Sequence, residues 1–504
     1  MSIDRDMGRR LAKSAAWMVL LRLTIRSLGL ISTLILARLL VPADFGLVAL
    51  ASLIISILEL VFDFSFDLYL IRQKGQDTSL YNTVWTLSVL RGSLMGLLIF
   101  LAAPLAAAFY ASPALVDIYH VLALGSFISG FENVGIVEFR KELRFDREFR
   151  LRLAAKLVAF ATTISMALVW KNYWALVIGT LSSQVALVVL SYIMSDYRPS
   201  LTLARWREIF RFSTWIMLAS VFGALLTRSP SLIIGRFANV SSVGLYEVGR
   251  EVADLPTTEL VWPIARTLYP GYSKVMGNTE KIRQLYLDSI GLIITLATPL
   301  ALGIAVTAEP LVCVLLGIKW LEAVPFIEVL AVSGLIRLFS TGAQSIILAQ
   351  GRPKLYALLA LFSLLMTLPL SILGAWQAGA IGVAYGFLGG MVLSSLAYLT
   401  SSYLLLQLSA KVIIHYAYRP LFSGLGMVIA IWSLLSLMME ADTADFWRAL
   451  RMLAILAPLG ATVYITTLLL LWRLAGKPAG PEHTLLREIN QRWPRLKYWL
   501  PAVE

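Results

Sequence analysis

Two arginines, Arg22 and Arg26, stand inside an apolar stretch, Ser14 to Leu40, that exceeds the roughly 20 residues needed to cross a bilayer. Their four-residue spacing puts both guanidinium groups on one helical face, together with Met18, Gly29 and Thr33. An arginine at mid-membrane costs about 2.5–3.5 kcal/mol on insertion scales, so two on one stripe must face a bundle interior or water. Either acids on a neighbouring helix neutralise them, or they line a cationic cavity that receives an anionic cargo.

Depth along the helices makes the charge pattern more specific, at about 1.5 Å per residue. The next apolar stretch carries Glu59, Asp63 and Asp67 on one face, and Arg91 follows on the third. Counted from the same membrane face, Arg22 falls level with Asp63, Arg26 with Glu59, and Arg91 at the same depth. Such pairs can simply offset their own desolvation. In the second half of the chain, Arg228 and Arg337 lie near the midplane with no acid close in depth on their own helices. The stretch Gly244 to Trp262, GLYEVGREVADLPTTELVW, carries Glu247, Arg250, Glu251, Asp254 and Glu259, and Pro256 interrupts its ladder. A helix this polar lines water or protein on one side. Arginine suits a phosphate because its planar fork gives bidentate, always-charged bonds. Arg22, Arg26, Arg91, Arg228, Arg250 and Arg337 are therefore the candidate contacts to an anionic head group. Glu59, Asp63, Glu251 and Asp254 are candidates for coupling to a proton or sodium ion, or for pairing with those arginines.

Catalytic chemistry finds no support. The three histidines, His120, His415 and His483, are far apart in sequence, and neither a metal site nor a nucleophile–base pair is indicated. No Gly-Lys-Ser/Thr phosphate loop is present. The single cysteine, Cys313, excludes an intrachain disulfide and a Cys-based metal site. The expectation is a protein that is not an enzyme and has no cofactor and no metal.

These charges must be positioned by membrane helices. Of 504 residues, 59% are hydrophobic and 14% charged, with mean hydropathy +0.78; a soluble domain is about 25% charged. We read fourteen spans, the first at 14–38 and the last at 452–472, with the fifth at 153–170, the eighth at 244–265 and the eleventh and twelfth at 356–376 and 380–405. Alternate loops hold 30 of the 43 Lys and Arg residues, which by the positive-inside rule puts both termini in the cytoplasm. The net charge of +13 is thereby explained by topology, not nucleic acid. The basic connection Arg140 to Arg152, RKELRFDREFRLR, reads as an amphipathic helix on the inner membrane lipids. Trp320 beside Lys319 reads as an outer interfacial or re-entrant helix.

An internal repeat organises the spans. Leu34 to Arg38, then Gly46-Leu47 after seven residues, matches Leu232 to Arg236 and Gly244-Leu245 at a constant offset of 198 residues. Ser14–Trp17 resembles Ser213–Trp215 at nearly the same offset. The expected architecture is all-α and polytopic. It has six-helix lobes at 1–194 and 195–405, related by a pseudo-two-fold along the membrane normal. Two additional helices follow at 406–472, and then a cytoplasmic tail at 473–504.

Three segments carry a family resemblance: ILARLLVPADFGLVALASLI (Ile35 to Ile54), LIIGRFANVSSVGLYEVGREVADLP (Leu232 to Pro256) and AQGRPKLYALL (Ala349 to Leu359). Over about residues 8 to 410 the chain resembles the bacterial polysaccharide transporter family, closest to its colanic-acid-type branch. These are flippases for lipid-linked O-antigen and exopolysaccharide units, in the superfamily that includes multidrug extruders and the peptidoglycan-precursor flippase. The resemblance implies a fourteen-helix fold in the bacterial inner membrane and an undecaprenyl-diphosphate-linked oligosaccharide cargo moved outward by alternating access through a cationic central cavity. It also implies partners among polymerase and chain-length or export proteins. Arg22 and Arg26 are similar in placement to first-helix arginines of the peptidoglycan-precursor flippases. The alternative on the same fold is a cation-coupled extruder of small drugs.

Overall fold

The computed structural model describes residues 2–62, 70, 77–142, 144–205, 214–257, 261, 264, 268, 272, 275, 277–408, 410–438, 445–478 and 480–483. Among these residues the secondary structure is helical, with no strand. The chain packs as two compact units, Met1–Met217 with Asn239–Gly244, and Leu218–Ala238 with Leu245–Glu504.

The first unit is built from α1 (Ser2–Leu39), α2 (Pro42–Val61), α3 (Thr78–Phe109), α4 (Ala114–Ser129), α5 (Val137–Lys141), α6 (Phe145–Trp170) and α7 (Trp174–Met194). The start of α2 is fixed by sequence chemistry. Pro42 supplies the helical φ, and the Asp44 carboxylate accepts the Val41 N–H at 3.1 Å. Its other oxygen accepts the Tyr173 N–H at 3.0 Å, tying α2 to the turn before α7. Asp77 caps α3 by accepting from the N–H groups of Ser79 and Leu80. α6 packs on α7 and α1, and α3 on α4. α4 and the segment ending in α5 meet at 64°, so the expected fourth span is broken. The basic connection is not a separate surface helix. Its second half forms the first turns of α6, which begins at Phe145 and not at the expected 153. Three basic side chains there, Arg140, Arg150 and Arg152, pair with Glu148 or Asp146, and that pairing lets a charged segment continue as helix.

The second unit holds α8 (Thr214–Phe237) from Leu218 on, α9 (Val240–Ala253) from Leu245 on, α10 (Thr279–Val306), α11 (Ala308–Leu315), α12 (Val324–Ala349), α13 (Pro353–Leu406), α14 (Ala410–Met438) and α15 (Phe446–Leu474). Its core gathers α10 and α12 around Tyr286, Ile293, Ala297 and Ile346. α13 is a hairpin of the two expected spans. The helix breaks at Ala378 and at Gly379, whose φ of +61° favours glycine. The returning half lays Gly382, Gly386 and Gly390 against Gly374, Leu370 and Thr367. A Cβ at Gly382 would stand 2.0 Å from the Gly374 carbonyl oxygen, so the close packing of the hairpin requires glycine there. Trp320 is fully buried in a 3-10 turn, Ile318–Ala323. The interfacial reading is therefore corrected: a lysine–tryptophan pair beside an apolar run resembles an anchor, yet the indole faces inward.

Among the described residues eleven helices are long and apolar enough to cross a membrane, or twelve with the bent pair. One of them, α13, contains two expected spans, and the expected eighth, 244–265, begins in α9 and includes residues outside the described ones. The expected fourteen are consistent with this. Stripes of exposed apolar residues such as Leu97, Leu101 and Leu105 on α3 suit lipid contact. The chain is a multi-pass membrane protein.

Candidate functional site

In the second unit, α9 carries an ordered series of charges. Tyr246, Arg250 and Asp254 recur at four-residue intervals, and Glu247 lies beside them on the same face. Arg250 pairs with Glu247 and donates from Nη1 to the Thr227 carbonyl oxygen at 3.0 Å. Ser231 on α8 donates its hydroxyl to the other Glu247 oxygen. Arg337 reaches across from α12, where its Nη2 meets Asp254 Oδ1 at 2.9 Å and Thr257 Oγ1 at 3.3 Å. Arg228 on α8 is half-buried in the field of Arg250 and Glu247, with no ion pair or hydrogen bond among the described residues. The result is an alternating ladder, Arg228, Glu247, Arg250, Asp254, Arg337, with Glu251 as a third acid on α9. α9 ends at Ala253, just before Pro256, which cannot donate to the ladder. That break lets Asp254 and Thr257 converge on one guanidinium.

Arg250, Arg337, Arg228 and Asp254 are thus brought together, and Glu251 is half-buried on α9 beside them. Two participants were missed from sequence. Ser231 gave no signal. Tyr246 is fully buried, its hydroxyl has no hydrogen-bond partner among the described residues, and it lies in the field of Arg250, Glu247, Asp254 and Arg337. Its spacing of four from Arg250 was the available clue.

The first unit holds the other candidates. Arg22 and Arg26 are half-buried on α1, which packs on α6 with the Trp17 and Phe149 rings 5.0 Å apart. Glu59 is exposed on α2 and lies in the field of Arg91, whose Nε is buried without a hydrogen bond among the described residues. Asp63 lies outside the described residues, as do Asp67 and Glu259. A cavity of about 370 Å³ opens where α3, α5 and the segment after α7 meet, lined by Tyr81, Glu138, Arg144, Arg147 and Tyr197. Tyr81 donates to Glu138, and Lys141 lies 3.5 Å from the same carboxylate. Burial pushes the Tyr197 phenol up to about 12, so it remains a neutral donor, to Asn82. Among the described residues no three His, Cys, Asp or Glu side chains are grouped to hold a metal ion.

A further buried pair went unread in the sequence. After α15 the chain turns back through Gly476 and Lys477, both at positive φ. The Trp472 indole N–H donates to the Pro478 carbonyl at 3.1 Å. Glu482 then meets Arg419 of α14 at 3.0 Å, both side chains 1% exposed.

A family profile described as polysaccharide biosynthesis protein matches residues 35–325. The chain belongs to that family. It is 27% identical over 378 residues to the lipopolysaccharide biosynthesis protein WzxC of Escherichia coli (strain K12), covering 74% of this chain and 77% of the relative. It is 24% identical over 330 residues to the succinoglycan biosynthesis transport protein ExoT of Rhizobium meliloti (strain 1021), covering 65% and 66%. Among solved structures, the lipid II flippase MurJ in an inward closed conformation superposes with a TM-score of 0.73 over 90% of this chain and 98% of that one, at 13% identity. The polysaccharide biosynthesis family member described here therefore has the MurJ-like fold.

Proposed function

We propose that the chain is a flippase that moves an undecaprenyl-diphosphate-linked oligosaccharide repeat unit from the inner to the outer leaflet of the bacterial inner membrane, for exopolysaccharide or O-antigen assembly, by alternating access. It is a transport protein and not an enzyme. The observation that carries the reading is the cluster of three arginines, in which Arg228 lacks an ion-pair partner among the described residues. A diphosphate is the kind of anion that such forks hold. The family and the names of its relatives support a lipid-linked glycan as cargo. The basic loops support cytoplasmic termini. Coupling by a proton or sodium ion, through Glu59 or Asp254, and handover to a polymerase belong to the same reading.

The test is complementation of a flippase-deficient exopolysaccharide strain by wild type, Arg228→Ala and Arg337→Ala, with membrane abundance measured in parallel. Polymer restored by wild type, and lost in variants that are present in the membrane, is the expected result. Polymer restored by both variants would remove the arginines from the mechanism.

A further inference from the structure

The arginines that this reading assigns to the cargo are not bare. Arg337 engages Asp254 and Thr257 through a single nitrogen, Nη2. A guanidinium grips an oxyanion with two parallel bonds along one of two edges, Nη1 with Nη2 or Nε with Nη2. Nη2 belongs to both edges, and both of its protons are engaged. Arg250 repeats the arrangement, with Nη2 on Glu247 while Nη1 donates to the Thr227 carbonyl. A phosphate that binds Arg337 through two bonds must take a place now held by a protein oxygen, and one that binds Arg250 along its Nη1–Nη2 edge meets Glu247 and the Thr227 carbonyl there. The Arg337–Asp254 pair is open to exchange, since the two side chains keep 36% and 24% of their surface exposed.

We propose that Asp254 and Glu247 are built-in stand-ins for the anionic group of the cargo, displaced from Arg337 and Arg250 when it binds. The proposal rests on the flippase reading and adds the regulation of its site. The exchange is oxygen for oxygen on the same nitrogen. Thr257, whose hydroxyl donates to the Asp254 carbonyl at 2.8 Å, keeps its oxygen toward Arg337 and steadies the guanidinium meanwhile. Ser231 holds Glu247 through the oxygen that Arg250 does not use. The consequence has an uncommon sign: neutralising a residue inside the binding site tightens binding.

The experiment titrates geranyl diphosphate, a short lipid diphosphate, into the full-length protein in nanodiscs. Asp254→Asn and Glu247→Gln should each lower Kd about tenfold, the scale of one charge-assisted bond, and Arg337→Gln should raise it. Asp254→Asn should tighten binding less when combined with Arg337→Gln than it does alone, because part of the acid's effect passes through that pair. Thermal melting establishes that each variant is folded; if Asp254→Asn is not, Glu247→Gln decides alone, on a different arginine. Folded acid variants that bind no tighter than wild type, while Arg337→Gln weakens binding, overturn the displacement and leave the anion site standing. Arg337→Gln binding as well as wild type overturns both.

Discussion

Gly46 and Gly244 pack reciprocally. A Cβ on Gly46 would lie 1.8 Å from the carbonyl oxygen of Val240, and one on Gly244 would lie 1.9 Å from that of Pro42. Pro42 and Val240 are separated by the same 198 residues as the two glycines. Each copy of the repeat thus offers its glycine to the first residue of the other's helix, as an isologous contact does. The sequence repeat and the contact describe one relationship.

Gly46→Val and Gly244→Val should each force the two backbones apart. Overpacking of this kind costs about 1–3 kcal/mol, read as a lower melting temperature of the detergent-solubilised protein. Gly29→Ala and Gly223→Ala are the controls. Nothing lies within 4 Å of a Cβ at either position, so these helices should be unchanged or gain up to about 1 kcal/mol.

Arg228→Ala and Arg337→Ala should differ in stability while agreeing in lost transport. Arg228 gives up no ion pair among the described residues, so its variant should melt as wild type does. Arg337→Ala removes the guanidinium paired with Asp254, at a cost of no more than about 1 kcal/mol for a partly exposed pair.

Asp44→Ala removes both the α2 cap and the brace to Tyr173. The expected loss is about 1–2 kcal/mol, measured by thermal unfolding. Asp44→Asn, which keeps one acceptor, should lose less.

Glu482→Gln leaves Arg419 buried without its counter-charge, and breaking such a pair costs about 3–5 kcal/mol. Truncation after Leu474 should be as damaging. Arg419→Met with Glu482→Met should recover most of the loss, since replacing both members of a buried pair by apolar groups is often neutral. Equal damage in the double variant would show that the segment is held by the charged pair itself and not by its other contacts.

The fold was legible because bilayer length, basic loops and the repeat are all written locally in the chain. The arginines of the ladder were legible too, since a charge inside an apolar run stands out. Their pairing was not. Asp254 and Arg337 are 83 residues apart, and no local pattern says which helices touch. Depth arithmetic compared charges only along matched helices, so it left Arg337 without an acid. It put Arg26 and Arg91 both near the depth of the α2 acids, and Glu59 lies in the field of Arg91. The early start of α6 was hidden because its first turns are charged, and hydropathy does not register cations that are paired along their own helix.

A carrier also has to return unloaded, and in that half of the cycle nothing from the cargo neutralises the arginines. Three bare guanidinium groups would demand water or lipid phosphate to follow them. With Glu247, Glu251 and Asp254 on α9 beside them, the arginines of the vacant site keep protein acids as counter-charges. On the proposed reading, the acids beside these arginines spare the empty protein from carrying bare cations on its way back.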